Sequence, residues 1–325
     1  MPRRAALYRY RIPLEPQPLC AGQRLAARDG LVVQLQQGEH CGYGEVAPLP
    51  GFSPETLQQA QRELLQTLPL WVAGQPITVD SPSVAFGLSC AVDEVAGAHS
   101  TPAHCGSPLQ GYPLLSGTPT QIIERWQQWQ GARPSLAKLK LGRYPIAAEQ
   151  QMVHALLRIS PTLKLRIDAN RSWTLPQARE WAQWIGVEAI DYLEEPCQQL
   201  GQSLQLAEEY GVGIALDESL RDRHFVLPPS RHIRALVLKP SLTGSIAQLE
   251  KQIDTATRRG ITCILSSSYE SSLGIGQLQA LAARLTPDSA PGLDTLGCFA
   301  SNLLRGGDPA KPTLSLEQLE PLWQS

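Results

Sequence analysis

Between residues 135 and 266 the chain repeats one motif: a short apolar run that ends on a polar residue, followed by a segment with helical spacing. The runs are 135–141, 163–168, 189–194, 213–217, 235–239 and 261–266. Each has the length of a buried strand, and the intervening segments carry helix signals. Thr174 and Gln177 form a capping box with Pro176 in the first turn. Ser245 and Gln248 form another, and Gly260 ends that helix. Alternating strands and helices require a parallel sheet with right-handed crossovers, and the number of repeats predicts a closed barrel. The polar residues ending the runs are Lys140, Asp168, Glu194, Asp217, Lys239 and Ser266, at spacings of 28, 26, 23, 22 and 27. All six fall at the C-terminal ends of their strands, the rim where barrel enzymes keep their chemistry. Asp294, within 292–295 and 28 residues after Ser266, predicts one more strand end.

Side chains alternate along a strand. Lys164, Arg166 and Asp168 therefore share the axial face, and Leu163, Leu165 and Ile167 face the helices. Lys138 and Lys140 both point inward, which is costly unless anions await them. Asp168, Glu194 and Asp217 on neighbouring strand ends would repel one another without a cation among them. An all-oxygen set suits Mg²⁺ or Mn²⁺; alternatively, each carboxylate caps the next helix or pairs with an arginine. Glu195 must point away from the axis if Glu194 points in. Lys239, about four strands from Lys140, is expected to face it across the barrel. A lysine beside other cations has its pKa pushed down, toward service as a base. Ser266, Ser267 and Ser268 offer hydroxyl and amide donors for a carboxylate, or simply a polar helix cap.

Residues 1–108 read as a separate α+β region. Strands are expected at 31–35 and 41–46, a Pro/Gly-rich loop at 47–54, a helix capped by Ser53 with Pro54 at its first position, and a second helix over 82–98. A loop with Pro102, Gly106 and Pro108 marks the boundary to a barrel domain over 109–305, and the tail 306–325 is expected to pack on the first region. Hydrophobic residues make up 42% of the chain and charged ones 18%, enough for packed cores. A net charge of −2 gives no footprint for nucleic acid or a membrane surface, and no apolar run is long enough to span a bilayer. Arg3-Arg4 lacks the apolar stretch of a twin-arginine signal. Seven cysteines without a C-x-x-C pair argue against a zinc or redox site and fit a reducing cytoplasm.

Lys138-x-Lys140, Asp168-Ala169-Asn170, Glu194-Glu195-Pro196, Asp217-Glu218-Ser219 and Lys239-Pro240, in this order, resemble the muconate-lactonizing subgroup of the enolase superfamily. Further motifs resemble a dehydratase branch of that subgroup that serves menaquinone formation. They are Gly42-x-Gly44-Glu45-Val46-Ala47-Pro48-Leu49-Pro50-Gly51-Phe52-Ser53-x-Glu55-Thr56, the stretches 82–90 and 239–245, and Ser266-Ser267-Ser268-x-Glu270-Ser271-Ser272-Leu273-Gly274. Tyr269 departs from the aliphatic residue expected there. The resemblance implies a modified TIM-type (β/α)7β barrel with an N-terminal α+β capping domain. It implies a metal-dependent carbon–oxygen lyase acting on a small carboxylate, with Asp168, Glu194 and Asp217 holding Mg²⁺, or Mn²⁺ as a substitute. By the same resemblance, Lys140 takes the α-proton and returns it to the departing hydroxyl. Lys138 and Lys239 stabilise the ene-diolate, a strategy known for this superfamily. Arg166 and Asn170 support the site, and Ser266, Ser267 and Ser268 contact a succinyl arm. Three other readings use the same residues: an N-acylamino-acid racemase or dipeptide epimerase with Lys140 and Lys239 as opposed bases, a Schiff-base aldolase, or a non-catalytic barrel.

Overall fold

Long alternating stretches near the N-terminus build an antiparallel sheet. The structure, a computed structural model, describes residues 1–20, 22–97, 111–222 and 224–325, apart from the side chain of Val187. The expected boundary loop at Pro102, Gly106 and Pro108 lies outside the described residues, as does Ala98. β1 (Arg3–Pro13) is followed by a short hairpin of β2 (Leu19–Cys20) and β3 (Gln23–Arg24), and then by β4 (Ala27–Gln37) and β5 (His40–Val46). β4 and β5 turn at Gly38, whose φ of +63° suits glycine. The next helix starts later than the Ser53-Pro54 signal predicts. α1 (Leu57–Val72) is capped by Thr56, whose hydroxyl accepts from the Gln59 amide while Gln59 reaches back. The Ser53 hydroxyl instead accepts from the Leu49 amide at 2.9 Å, closing the Pro-rich loop. α2 (Pro82–Val95) ends before the predicted 98. It lies tight on β5, where a Cβ on Gly44 would stand 1.9 Å from the Gly87 carbonyl oxygen. Leu7, Leu31, Val33 and Leu35 of the sheet pack on Leu64, Leu68, Trp71, Val84 and Leu88 of these helices.

The repeats give strands and helices in strict succession. These are β6 (Leu114–Leu115), α3 (Pro119–Gln127), β7 (Leu136–Lys140), α4 (Ile146–Ile159), β8 (Lys164–Asp168), α5 (Leu175–Ile185), β9 (Ile190–Glu194), α6 (Leu200–Tyr210) and β10 (Ile214–Leu216). They are followed by β11 (Ile233–Leu238), α7 (Pro240–Thr243), α8 (Ile246–Thr257), β12 (Thr262–Leu265) and α9 (Ser272–Leu285). β6 to β12 form one seven-stranded sheet in sequence order, and the pairings from β6 through β11 are parallel. Sequence-ordered parallel strands with intervening helices are the (β/α)-barrel arrangement. Both predicted capping boxes form, at Thr174 and at Ser245. The strand end expected at 292–295 is a single parallel bridge between Ser266 and Gly292. Pro291 precedes it, and the Gly292 carbonyl is taken by the Ser267 amide at 3.1 Å.

β13 (Asn302–Leu303) and β14 (Thr313–Leu314) form a small parallel pair, and β15 (Glu320–Gln324) pairs antiparallel with β1. The order of the N-terminal sheet is thus β15-β1-β4-β5. Two compact units result. One comprises Met1–Gln110, Leu238–Thr255 and Leu265–Ser325; the other comprises Gly111–Val237 and Ala256–Ile264. Within the first, Tyr10, Ile12 and Val32 of the sheet share a core with Leu273, Phe299, Leu303 and Leu319. Among the described residues no helix is long and apolar enough to cross a membrane.

Candidate active site

Register places the second unit's chemistry in two layers. Lys140, Asp168, Glu194 and Ala215 lie side by side on β7 to β10, with Lys138, Arg166 and Tyr192 one layer below. Lys138 is buried. Its Nζ stands 2.8 and 2.6 Å from the two Glu194 oxygens and 2.9 Å from Asp168 Oδ2. Lys140 Nζ donates to the same Asp168 oxygen at 2.6 Å and to Asn170 Oδ1 at 2.8 Å. Two ammonium groups thus share one carboxylate oxygen. Arg166 Nε donates to Asp191 Oδ2 at 2.8 Å, and its guanidinium lies over the rings of Tyr112 and Tyr192 at 4.4 and 5.0 Å. Lys164 departs from the expected axial face: it is exposed at the start of β8, and its Nζ donates to the Glu188 carbonyl.

Electrostatics separates the two lysines. Burial lowers the pKa of Lys138, but Asp168 and Glu194 outweigh it and hold Lys138 well above the ordinary value. Burial also lowers Lys140; Lys138 adds to this, and the attraction of Asp168 does not cancel it, so Lys140 lies below the ordinary lysine value. Burial raises Asp168, yet the two ammonium groups prevail and hold it well below the carboxylate range. Glu194 is pushed up to about 8, by burial first and then by Asp168, with Asp217 adding to both. One lysine is thus held charged and its neighbour is eased toward neutrality, the division that a fixed cation and a proton acceptor require.

The loops beyond the strand ends are braced by residues in left-handed conformation: Asn170 at φ 45°, Arg171 at 60° and Glu195 at 41°. The Asn170 amide donates to Asp168 Oδ1 at 3.0 Å, and its side-chain nitrogen to Glu218 Oε1 at 3.0 Å. Glu195 is buried, and its side chain serves the next strand end. It accepts from the Asp217 and Ser219 amides at 3.1 and 2.6 Å and from Arg171 Nε at 3.0 Å. The loop leaving Lys140 is fixed by buried Glu149, which accepts from the amides of Gly142, Arg143 and Tyr144. None of the roles of Glu149, Arg171 and Glu218 is visible in strand periodicity. A carboxylate in the first turn of a helix, as Glu149 is in α4, is the one signal that could have found any of them.

Lys239 and the serines belong to the first unit. Lys239 is half-buried at the N-cap of α7. The Ser266 hydroxyl donates to the Gly292 carbonyl at 3.2 Å, and the Ser267 hydroxyl lies 3.0 Å from Thr295 Oγ1. The Ser268 amide donates to Glu270 Oε2 at 2.5 Å, and Glu270 Oε1 accepts from the Ser241 hydroxyl at 2.7 Å.

Asp168, Glu194 and Asp217 are buried carboxylates at three successive strand ends, the hard-oxygen chemistry that a divalent cation of the magnesium type takes. In this arrangement Lys138 bridges Asp168 and Glu194, and Arg221 Nη2 lies 3.3 Å from Asp217 Oδ1. Among the described residues no three acidic, histidine or cysteine side chains close on one point. The donor set fits the ion by its chemistry and burial, with the Lys138 ammonium standing between two of its members.

The family described as "MenC, N-terminal domain" matches residues 2–95, and "Enolase C-terminal domain-like" matches 121–300. The o-succinylbenzoate synthase of Pectobacterium atrosepticum is 42% identical over 328 residues, covering 99% of this chain and 100% of that one. That of Yersinia enterocolitica is 41% identical over 335 residues, with 99% and 100% covered. Among solved structures, the o-succinylbenzoate synthase of Thermosynechococcus elongatus, complexed with Mg in its active site, aligns with a TM-score of 0.71 and 28% identity over 90% of this chain and 92% of that one. The L-Ala-D/L-Glu epimerase of Bacillus subtilis aligns at 0.76 over 92% of each chain; at 19% identity it shows the shared fold alone.

Proposed function

Because the chain belongs to the o-succinylbenzoate synthase family of the enolase superfamily, we propose that this lyase dehydrates 2-succinyl-6-hydroxy-2,4-cyclohexadiene-1-carboxylate to 2-succinylbenzoate, a step in menaquinone formation, in the cytoplasm. The observation that carries the residue roles is the lysine pair, with Lys138 held charged between Asp168 and Glu194 and Lys140 lowered beside it at the rim. We assign residues 1–108 to a capping domain and 109–305 to the barrel.

Lys140 accepts the proton α to the substrate carboxylate as the C–H bond breaks. It then delivers that proton to the hydroxyl on the same face; the C–O bond breaks, the ring becomes aromatic and water leaves. Lys138 remains charged and stabilises the negative charge that develops on the carboxylate. Lys239 does the same from its own loop. Asn170 orients the Lys140 amine through its Oδ1. Arg166, pinned by Asp191 and stacked on two tyrosines, stiffens the layer beneath. Ser266, Ser267 and Ser268 receive the succinyl arm. Asp168, Glu194 and Asp217 would hold a divalent cation, Mg²⁺ with Mn²⁺ as a substitute, whose charge makes the α-proton acidic enough for a lysine to remove.

The test is an ultraviolet assay of aromatic product with Mg²⁺, with EDTA, and with Lys140→Ala. Loss of the placed base is expected to lower kcat by about 10²–10⁴-fold while the folded circular dichroism spectrum is retained. Activity indifferent to EDTA or to Lys140→Ala refutes the assignment. Absence of product together with α-proton exchange on N-acylamino acids or dipeptides would transfer the chain to the racemase reading.

A further inference from the structure

Two buried charges from the N-terminal sheet grip the segment that carries the serines, and neither has a role in the chemistry above. Arg28, on β4, is 1% exposed. Its Nε donates to the Tyr269 carbonyl at 2.8 Å and its Nη1 to that of Pro48 at 2.8 Å; its Nη2 donates to the carbonyls of Ala47 and, at 3.4 Å, Ser268. One guanidinium thereby joins the loop after β5 to the serine segment, whose Tyr269 lies 241 residues beyond Arg28. Glu45, on β5, is 3% exposed. It accepts from the Ser271 amide at 2.9 and 3.1 Å, the Ser271 hydroxyl at 2.6 Å, the Gly274 amide at 2.9 Å and the Tyr10 hydroxyl at 2.5 Å. A Cβ on Gly274 would stand 2.6 Å from Glu45 Oε2, so this position must stay bare for the carboxylate to reach the start of α9.

The two charges act on opposite poles of one turn. The cation holds carbonyls at 268 and 269, and the anion holds amides at 271 and 274. Tyr269 between them is left-handed, at φ 58°. A bulky residue keeps that conformation only where its surroundings over-determine it. Burying an arginine and a glutamate is costly, and hydrogen bonds to fixed backbone dipoles are what offset the cost. The arrangement binds nothing itself; it fixes backbone.

We infer that Arg28 and Glu45 are positioning residues that preset the serine segment and the loop after β5 as one rigid wall for the carboxylate-bearing arm of the substrate. This rests on the role proposed above for Ser266, Ser267 and Ser268. The device concerns binding, since no group that moves a proton is touched. Its loss weakens ground and transition states alike and raises KM while leaving kcat in place.

The test uses the full chain with Mg²⁺ and the variants Arg28→Met, Arg28→Lys and Glu45→Gln. Each is measured by steady-state kinetics on the cyclohexadiene carboxylate and by hydrogen exchange of the peptide covering 266–274. Arg28→Met is expected to raise KM by about 10-fold with kcat within about 3-fold, and to speed exchange in that peptide. Arg28→Lys keeps the charge with fewer donors and is expected to recover part of the KM. If Arg28→Met does not fold, Arg28→Lys and Glu45→Gln carry the same comparison. Exchange at 266–274 unchanged in folded variants overturns the positioning role and leaves the dehydratase reading intact. Faster exchange with KM unmoved overturns the inference at its premise, because the serine segment would then not touch the arm. A fall in kcat alone, with KM constant, is the mark of a merely structural loss and also overturns it.

Discussion

Glu194 makes the stability of the metal-free protein depend on pH in an unusual direction. The carboxyl is fully buried and is pushed from 4.5 up to about 8 by burial and by Asp168, despite Lys138 at 2.6 Å. Between those two pH values the folded chain retains a proton that the unfolded chain has released. The folded state then binds more protons, so stability falls as pH rises through this window. The slope is at most about 1.4 kcal/mol for each pH unit, and the charged Lys138, donating to both Glu194 oxygens, holds it below that limit. The depressed Asp168 and the raised Lys138 change stability outside the window, below the ordinary aspartate value and above the ordinary lysine value. Glu270, also raised chiefly by burial, adds a background slope of the same sign. The assay is urea unfolding in EDTA at pH 5, 6, 7 and 8, for the native chain and for Glu194→Gln. The native curve should fall as pH rises, by no more than about 1.4 kcal/mol for each pH unit, and the difference between the two proteins should carry most of the slope. Mg²⁺ should restore stability in the native protein, more strongly at pH 8 than at pH 5, and should do much less for the variant. A flat native curve, or identical slopes in the two proteins, would refute the placement of Glu194 as a buried carboxyl waiting for a cation.

Two further substitutions probe the braces around the strand ends. Glu195→Ala leaves the amides of Asp217 and Ser219 without their acceptor; it should cost about 1–3 kcal/mol in unfolding free energy and about 10–100-fold in divalent-metal affinity, read by calorimetric titration with Mn²⁺. Gly142→Ala introduces a Cβ 1.9 Å from Ser172 Oγ at a φ of +77°; it should destabilise by about 1–3 kcal/mol in thermal unfolding and lower kcat, because Lys140 sits two residues upstream. A neutral outcome in either would show that the loop in question rearranges freely.

The barrel was legible because each strand carried its chemistry at the same end. The predicted runs and the observed strands agree to within one or two residues, and the lysines and carboxylates stand beside one another as the register required. β6 has only Leu114 and Leu115 in the ladder, too little periodicity to read. Residues 292–295 looked like a strand end by spacing, but backbone pairing there stops at one bridge. Lys164 followed the alternation on paper, yet at the opening of its strand it reaches solvent. Arg28 and Glu45 were hidden for another reason: the partners that tie them to residues 268–274 lie more than two hundred residues away, and no local pattern encodes such a contact. Glu195 was read correctly as turned away from the axis; its service to Asp217 needed three dimensions.

The pairing of β15 with β1 also sets an order in time. The Ser325 amide donates to the Ala5 carbonyl at 3.0 Å, and Arg305 grips Glu94 through two bonds of 2.9 and 2.6 Å. The sheet built on β1 therefore waits for residues about 320 positions downstream before that edge is covered, whereas the unit centred on 111–237 draws on sequence that emerges earlier. Synthesis from the N-terminus and the loop-closure entropy of contacts spanning the whole chain together make the N-terminal unit the late one. Its exposed edge β1 is, until then, the strand most open to pairing with a neighbouring nascent chain.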